Sequence, residues 1–430
     1  MAEEVAVASA PSPSPPLSPQ SRVYLQNVLE ELGFLIGPDS NISRVAGFAK
    51  RKAAPPRNAT NRNAFQQIVN AAKFTPRGAD AYWDLGRTME YGCMHAVDAN
   101  GPEVIAAIPP IEGAPHHVAV FAKIFATCRY DVLPVLHYLW ATSRVNPAPW
   151  RSLVDRLKAA ARQARTQDTN TFKSALRIFL PVPGRDVFDP PVDIGASKAR
   201  RGLAHPQLCL LLMPWRDRSH YPPLTFERSS GGLPELSDDA KRIDAEIALH
   251  KYNPSSKRFP SFCYAAGEYD PASYRRNLFR NIVVVRVLRL LWLTRADAND
   301  VPRNTIPSGS LAAIHGITRI TPHMVAYVIV QMRLALSSLP EWRTKESKNY
   351  SFITLYYKVI DAFADEDDED LPKWANKTLD WLTELTFGNV DDDPRAVPDE
   401  ADEDQSEDEA AAQRKRRRVV PDPVVSDPAS

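Results

Sequence analysis

Glycine is scarce in this sequence, 17 of 430 residues, or about 4% where about 7% is usual. The Gly-rich loops that cradle phosphates are missing with it, since neither G-x-x-x-x-G-K-[ST] nor G-x-G-x-x-G occurs. So few glycines also argue against an all-β fold with many tight turns. Cysteine is scarcer still. Cys93, Cys128, Cys209 and Cys263 stand far apart with no C-x-x-C among them. That argues against a disulfide framework or a zinc ribbon, and reduced core thiols are the expectation. Long apolar runs are lacking too: IVVVRVLRLLWL at 282–293 carries Arg286 and Arg289 and is too short to cross a bilayer. At the start, Glu3, Glu4 and a run of prolines stand where a secretory signal needs positive charge and an apolar segment, so no export is expected.

Residues that carry chemistry are equally dispersed. No G-x-S-x-G nucleophile elbow occurs. His116 and His117 adjoin, but neighbours on a helix point about 100° apart and do not easily chelate one metal. His205 and Cys209 have the spacing of two ligands on one helix face, yet Pro206 intervenes and no second pair accompanies them. The run DEDDED at 365–370 reads as a solvated acidic turn, because consecutive carboxylates repel, whereas metal-dependent nucleases gather theirs from separate elements. The expectation is a non-enzymatic protein with no catalytic residue, no cofactor and no metal site.

Proline, by contrast, is abundant: 38 residues, about 9% where about 5% is usual. With 44% hydrophobic and 9% aromatic residues, this composition predicts a folded body of helices joined by stiff, irregular connections. Helical spacing begins at SRVYLQNVLEELG, with Ser21 as cap and Gly33 as stop. Further helices are expected at about 63–73, 78–95, 116–140 and 149–166, that at 116–140 kinked or divided by Pro134. DTNTFKSALRIFL predicts another, capped by Asp168 or Thr169 and ended by Pro181. From there to about 262 the chain reads as loop, with LCLLLM at 208–213 the best strand candidate and a short helix near 238–250.

The strongest element is a helix from Pro271 through Leu293, expected at the centre of the core, with Arg275, Arg286 and Arg289 on a shared face and Arg276 and Arg280 beside it. Thr321 and Pro322 open the next, PHMVAYVIVQMRLALSSL; YSFITLYYKVIDAFADE and PKWANKTLDWLTELTFG supply two more. The predicted fold class is mainly α: one irregular multi-helix domain over 21–388 with long Pro-rich loops. A disordered Pro/Ser-rich start at 1–20 and a disordered tail at 389–430, acidic then basic, flank it.

The net charge of +1 conceals a division. Residues 1–364 hold 45 Lys and Arg against 31 Asp and Glu, whereas residues 365–430 hold 8 against 21. A basic body attracts polyanions, and an acidic tail competes for the same surface or binds basic partners such as histones. Arg275, Arg276 and Arg280 are the candidate polyanion contacts, although no zinc finger, RRM signature or basic zipper accompanies them. Arg414, Lys415, Arg416, Arg417 and Arg418 form a compact cationic run of the kind a nuclear import receptor grips.

The second half carries a larger pattern. It consists of DTNTFKSALRIFL, YDPASYRRNLFRNIVVVRVLRLLW, GITRITPHMVAYVIVQMRLALSSLPEW, YSFITLYYKVIDAFADE and a closing WLTELTFG. The most telling parts are Ile320-Thr321-Pro322 with Ala326, Tyr327 and Gln331, then Trp342 and the helix of Tyr356. Over about residues 85–388 the chain resembles an uncharacterised domain family abundant in mushroom-forming fungi, from which it departs in the Pro-rich stretch at 181–262. The resemblance implies one helical domain, variable loops near 295–315 and a charged extension outside it; it implies no catalytic residue. With the tail, these features point to a nuclear, non-enzymatic protein that contacts nucleic acid or chromatin proteins, has an import receptor as partner and does not engage a membrane. A protein-interaction scaffold without nucleic-acid binding is the alternative, and an enzyme with an unrecognised site comes third.

Overall fold

The computed structural model describes residues 17–36, 42–44, 63–95, 113–126, 128, 132–180, 188–192, 198–222, 236–265, 269–270, 273–298, 305–364 and 371–388. Residues 1–16, the acidic run at 365–370, the tail from 389 and its cations at 414–418 lie outside the described residues.

Helix α1 (Pro19–Leu32) starts one turn before the expected cap. Proline fits its first turn, and the Ser18 Oγ accepts the Ser21 N–H at 3.0 Å. It therefore begins inside the stretch expected to lack structure. Gly33 ends it at φ 82°, a left-handed position that suits a residue without Cβ. Strands β1 (Phe34–Ile36) and β2 (Ile42–Arg44) pair antiparallel in the one sheet among the described residues. Helix α2 (Ala64–Phe74) runs into a π-turn at Thr75–Ala79, followed by α3 (Leu85–His95). The stretch at 116–140 is divided into α4 (Ala114–Phe125) and α5 (Val132–Thr142). The break precedes Pro134, which sits in the first turn of α5, where its missing N–H costs nothing.

Two helices expected separately are one. Helix α6 (Pro147–Ser174) spans 28 residues, and Asp168 and Thr169 are buried within it rather than capping a new start. A 3₁₀ turn at Leu176–Phe179 closes it off before Pro181. The Pro-rich stretch contains α7 (Pro206–Leu212), α8 (Trp215–Arg218) and α9 (Asp238–Ala248). The strand expected at LCLLLM is thus corrected to helix α7. A short apolar run fits a buried helix or a strand equally; here Pro206 at the first position and His205, whose Nδ1 accepts the Leu208 N–H at 3.3 Å, start a helix.

Helix α10 (Ile282–Trp292) is shorter than the 271–293 expected. Asn277 and Phe279 adopt φ 60° and 61°, which interrupts any helix, and Asn281 caps the new start by accepting the Val283 N–H at 3.0 Å. Arg275, Arg276 and Arg280 therefore lie in the turn before α10 and share no helical face with Arg286 and Arg289. After α11 (Leu311–Ile314) come α12 (Pro322–Leu336), α13 (Phe352–Asp361) and α14 (Leu371–Phe387).

The centre of the core is α12 rather than α10. Every residue from Met324 to Leu336 is buried, as expected of a helix that is apolar all round. It packs against α6, α10 and α13; α6 packs in turn against α2 and α3, and α10 against α14. One hydrophobic cluster consequently runs from Leu25 to Phe387. The protein is mainly α, with fourteen α-helices and one two-stranded sheet among the described residues. No described helix is long and apolar enough to cross a membrane.

Candidate functional site

Between α6 and α12 lies a fully buried polar chain. Arg77, in the π-turn, grips Asp168 with two hydrogen bonds, Nε to Oδ2 at 2.8 Å and Nη2 to Oδ1 at 2.7 Å. The Tyr327 hydroxyl donates to the same Oδ2 at 2.6 Å and accepts the Gln331 amide at 2.9 Å, and Thr169 donates to the Gln331 Oε1 at 3.0 Å. Burial pushes the Tyr327 phenol up and the Asp168 charge adds to this, so it stays a donor. Burial works to lower the Arg77 pKa, but the Asp168 charge, its hydrogen bond and Tyr327 together outweigh it and the guanidinium is held above its ordinary value. The chain is satisfied and closed to solvent, so it holds elements together rather than meeting a ligand. Beside it, Trp342 stacks on Tyr82 at 5.4 Å, and the Tyr356 hydroxyl accepts the Ala81 N–H at 3.2 Å. Of the residues that carried the family resemblance, Ile320, Ala326, Tyr327, Gln331 and Tyr356 are thus buried structural residues, and Trp342 is half-buried beside them.

Many cations of the body serve carbonyls at or near helix ends. Arg286 donates to the Leu180 carbonyl at 2.6 Å, Arg289 to Leu385 at 2.7 Å, Arg333 to Leu212 at 2.5 Å and Arg165 to Ala81 at 2.8 Å. Lys198 donates to Leu334 at 2.7 Å and also to Leu339, while Lys173 donates to Pro340. Arg295 reaches Ser174 at 3.2 Å and Arg201 reaches Lys173 at 3.5 Å. The last carbonyls of a helix lack partners and carry partial negative charge, which a cation answers on both counts. Lys198 sits where this crowding is greatest: burial, with Lys173 and Arg201 nearby, pushes its ammonium down to about 7.

Other cations face outward, Lys251, Lys257, Arg258, Lys345 and Lys348 among them, and one row of them follows a single helix. On the exposed side of α6 stand Arg151, Arg156 and Arg162, none ion-paired to a described carboxylate, among Gln163, Thr166, Gln167 and Asn170. Asp155 is the one acid on that side. Arg177 and Arg200 are exposed just beyond its C-terminal end. The sequence-predicted contacts are placed differently. Arg276 pairs with Asp270 at 3.5 Å, Arg280 lies over the Trp381 ring at 5.9 Å, and Arg275 lies over the Tyr274 ring at 5.1 Å. The α6 arginines form no short motif, yet PWRSLVDRLKAAARQ projected at helical spacing puts them on the polar side of the helix expected at 149–166.

The histidines turn to separate tasks. His116 Nε2 meets Asp80 Oδ2 at 3.2 Å, while His117 Nδ1 accepts the Trp83 indole N–H at 2.6 Å. His205 Nε2 donates to the Pro190 carbonyl at 2.7 Å, and Cys209 is buried. Among the described residues no three His, Cys, Asp or Glu side chains gather in a way that could hold a metal. Compared with known proteins, residues 159–387 match the model of a family described as Family of unknown function (DUF6698), a span that begins within α6 rather than near 85. No curated protein and no solved structure matches the chain.

Proposed function

Since the chain belongs to the family of unknown function DUF6698, its role has to be read from its own side chains, and we propose a non-enzymatic nuclear protein that contacts nucleic acid through the exposed side of α6. The supporting observation is the set Arg151, Arg156 and Arg162, exposed and without acidic partners among the described residues. Their helix is 28 residues long, about 42 Å at 1.5 Å per residue. Arg151 and Arg162 stand about 16 Å apart along it, within reach of phosphates on one stretch of duplex. The surrounding Gln163, Gln167 and Asn170 amides are further donors to phosphate oxygens. Nothing here reads base edges, so binding is sequence-tolerant. The import receptor takes the cations at 414–418.

The test is fluorescence anisotropy on a random-sequence DNA duplex between 50 and 200 mM salt, roughly the range over which phosphate contacts are lost. Three phosphate contacts give a slope of log K against log salt near −3 at about −0.9 each, and each Arg→Gln change reduces it by about 1. A slope untouched by the triple change Arg151→Gln, Arg156→Gln, Arg162→Gln, or no binding at the lowest salt, would leave the scaffold reading as the better one.

A further inference from the structure

We propose that a cleft between α13 and the turn before α10 binds a mononucleotide, with its phosphate on Arg275 and Lys358, its base on the Arg275–Tyr274 face and its sugar hydroxyls on Asp361. The cleft is open to solvent, offers about 410 Å³ and is lined chiefly by Phe259, Tyr274, Arg275, Lys358, Asp361 and Ala362. That volume lies within the range of small-molecule sites. Three separate segments meet there, and the lining carries two cations against one carboxylate.

Each cation is already posed. The Lys358 ammonium lies 4.8 Å from the centre of the Phe259 ring, and the Arg275 guanidinium lies 5.1 Å from that of Tyr274. A guanidinium offers a fork for phosphate oxygens and an ammonium a compact charge, so the pair suits a phosphate dianion. Lys358 has no ion pair among the described residues, and burial holds its pKa below the ordinary lysine value while Asp361 works the other way. Half-exposed Tyr274 and the flat guanidinium above it form a stacking platform that any base can use. Asp361, an acceptor only, matches hydroxyl donors.

The cleft is also held rigid from below. Phe259 meets Phe279 edge-on at 5.3 Å, Phe279 stacks on Phe363 at 5.3 Å, and Phe363 stacks on Trp374 at 5.3 Å. The Trp374 indole N–H then donates to the Arg275 carbonyl at 2.8 Å, closing the circuit between all three segments. In the middle of it, Phe279 keeps φ 61°. A bulky residue tolerates that conformation only where its surroundings over-determine it.

Isothermal titration of the full chain with AMP, adenosine and inorganic phosphate tests the assignment. AMP should bind one to one, at least tenfold tighter than either fragment. Lys358→Met and Arg275→Gln should each weaken it tenfold or more at unchanged melting temperature, with Lys358→Arg retaining most affinity. The triple α6 change should leave AMP binding intact, so this site and the duplex-binding reading fail separately. AMP binding no tighter than inorganic phosphate would overturn the proposal, whether or not the variants fold. So would full affinity in Lys358→Met.

Discussion

A buried ion pair gives up the hydration of both partners, and Arg77 with Asp168 offsets that loss only through two direct hydrogen bonds and the Tyr327 hydroxyl. Removing one charge is therefore worse than removing both. Asp168→Asn should lower stability by about 3–5 kcal/mol, because it strands the Arg77 charge, whereas Arg77→Met with Asp168→Leu should recover most of the loss. Chemical denaturation of the single and double variants checks this; a single variant as stable as the parent would mean that the pair is solvated in solution. At this scale the sequence was half legible. Tyr327, Gln331 and Trp342 stood out within the family-like pattern, but Asp168 read as a cap. Its partner Arg77 is 91 residues away, and an Asp followed by Thr and a helical run looks the same whether it opens a helix or is buried within one. Local spacing holds no record of such a distant partner.

Helices α10 and α12 differ in how far spacing alone located them. The apolar run of α10 was found, and its buried face of Val284, Val287, Leu288, Leu291 and Trp292 follows from it. Its start does not show in the sequence because Pro271 is a fair opening signal while a left-handed Phe279 has none; the ring contacts and the Phe279 N–H, which donates to the Cys263 carbonyl at 2.6 Å, hold it there. For α12 the boundaries were nearly right but its place at the centre was not, since a helix apolar on every side shows no preferred face. Leu288 is fully buried in α10. Leu288→Ala should cost roughly 2–5 kcal/mol through lost transfer energy and the cavity left behind. An unmoved thermal midpoint would show that α10 packs loosely and that α12 alone carries this part of the core.

For the whole molecule, the division of charge matters more than its sum. Among the described residues part of the body's basic excess is turned inward to helix ends, and the α6 arginines are one of several exposed sets left by the 45 cations against 31 acids of residues 1–364. That allocation was invisible in composition, because capping and phosphate contact ask for the same residues. The C-terminal stretch, α14 included, reverses the balance, with 8 cations against 21 acids over 365–430, and the acids of the tail beyond 388 and the α6 arginines attract one another wherever they meet. At a Debye length of about 10 Å in 0.1 M salt such contacts are weak and transient, so the tail should act as a competitor for duplex and not as a lock. Deleting 391–412 should then strengthen duplex binding at low salt and leave it unchanged at high salt, where screening already suppresses the competition. Replacing Arg414, Lys415, Arg416, Arg417 and Arg418 by Ala should leave the body's affinity alone and move a fluorescent fusion from nucleus to cytoplasm. A fusion that stays nuclear without those cations removes the import role. A deletion that leaves low-salt binding unchanged removes the competition, because a tail that contests the duplex surface weakens binding most where screening is least.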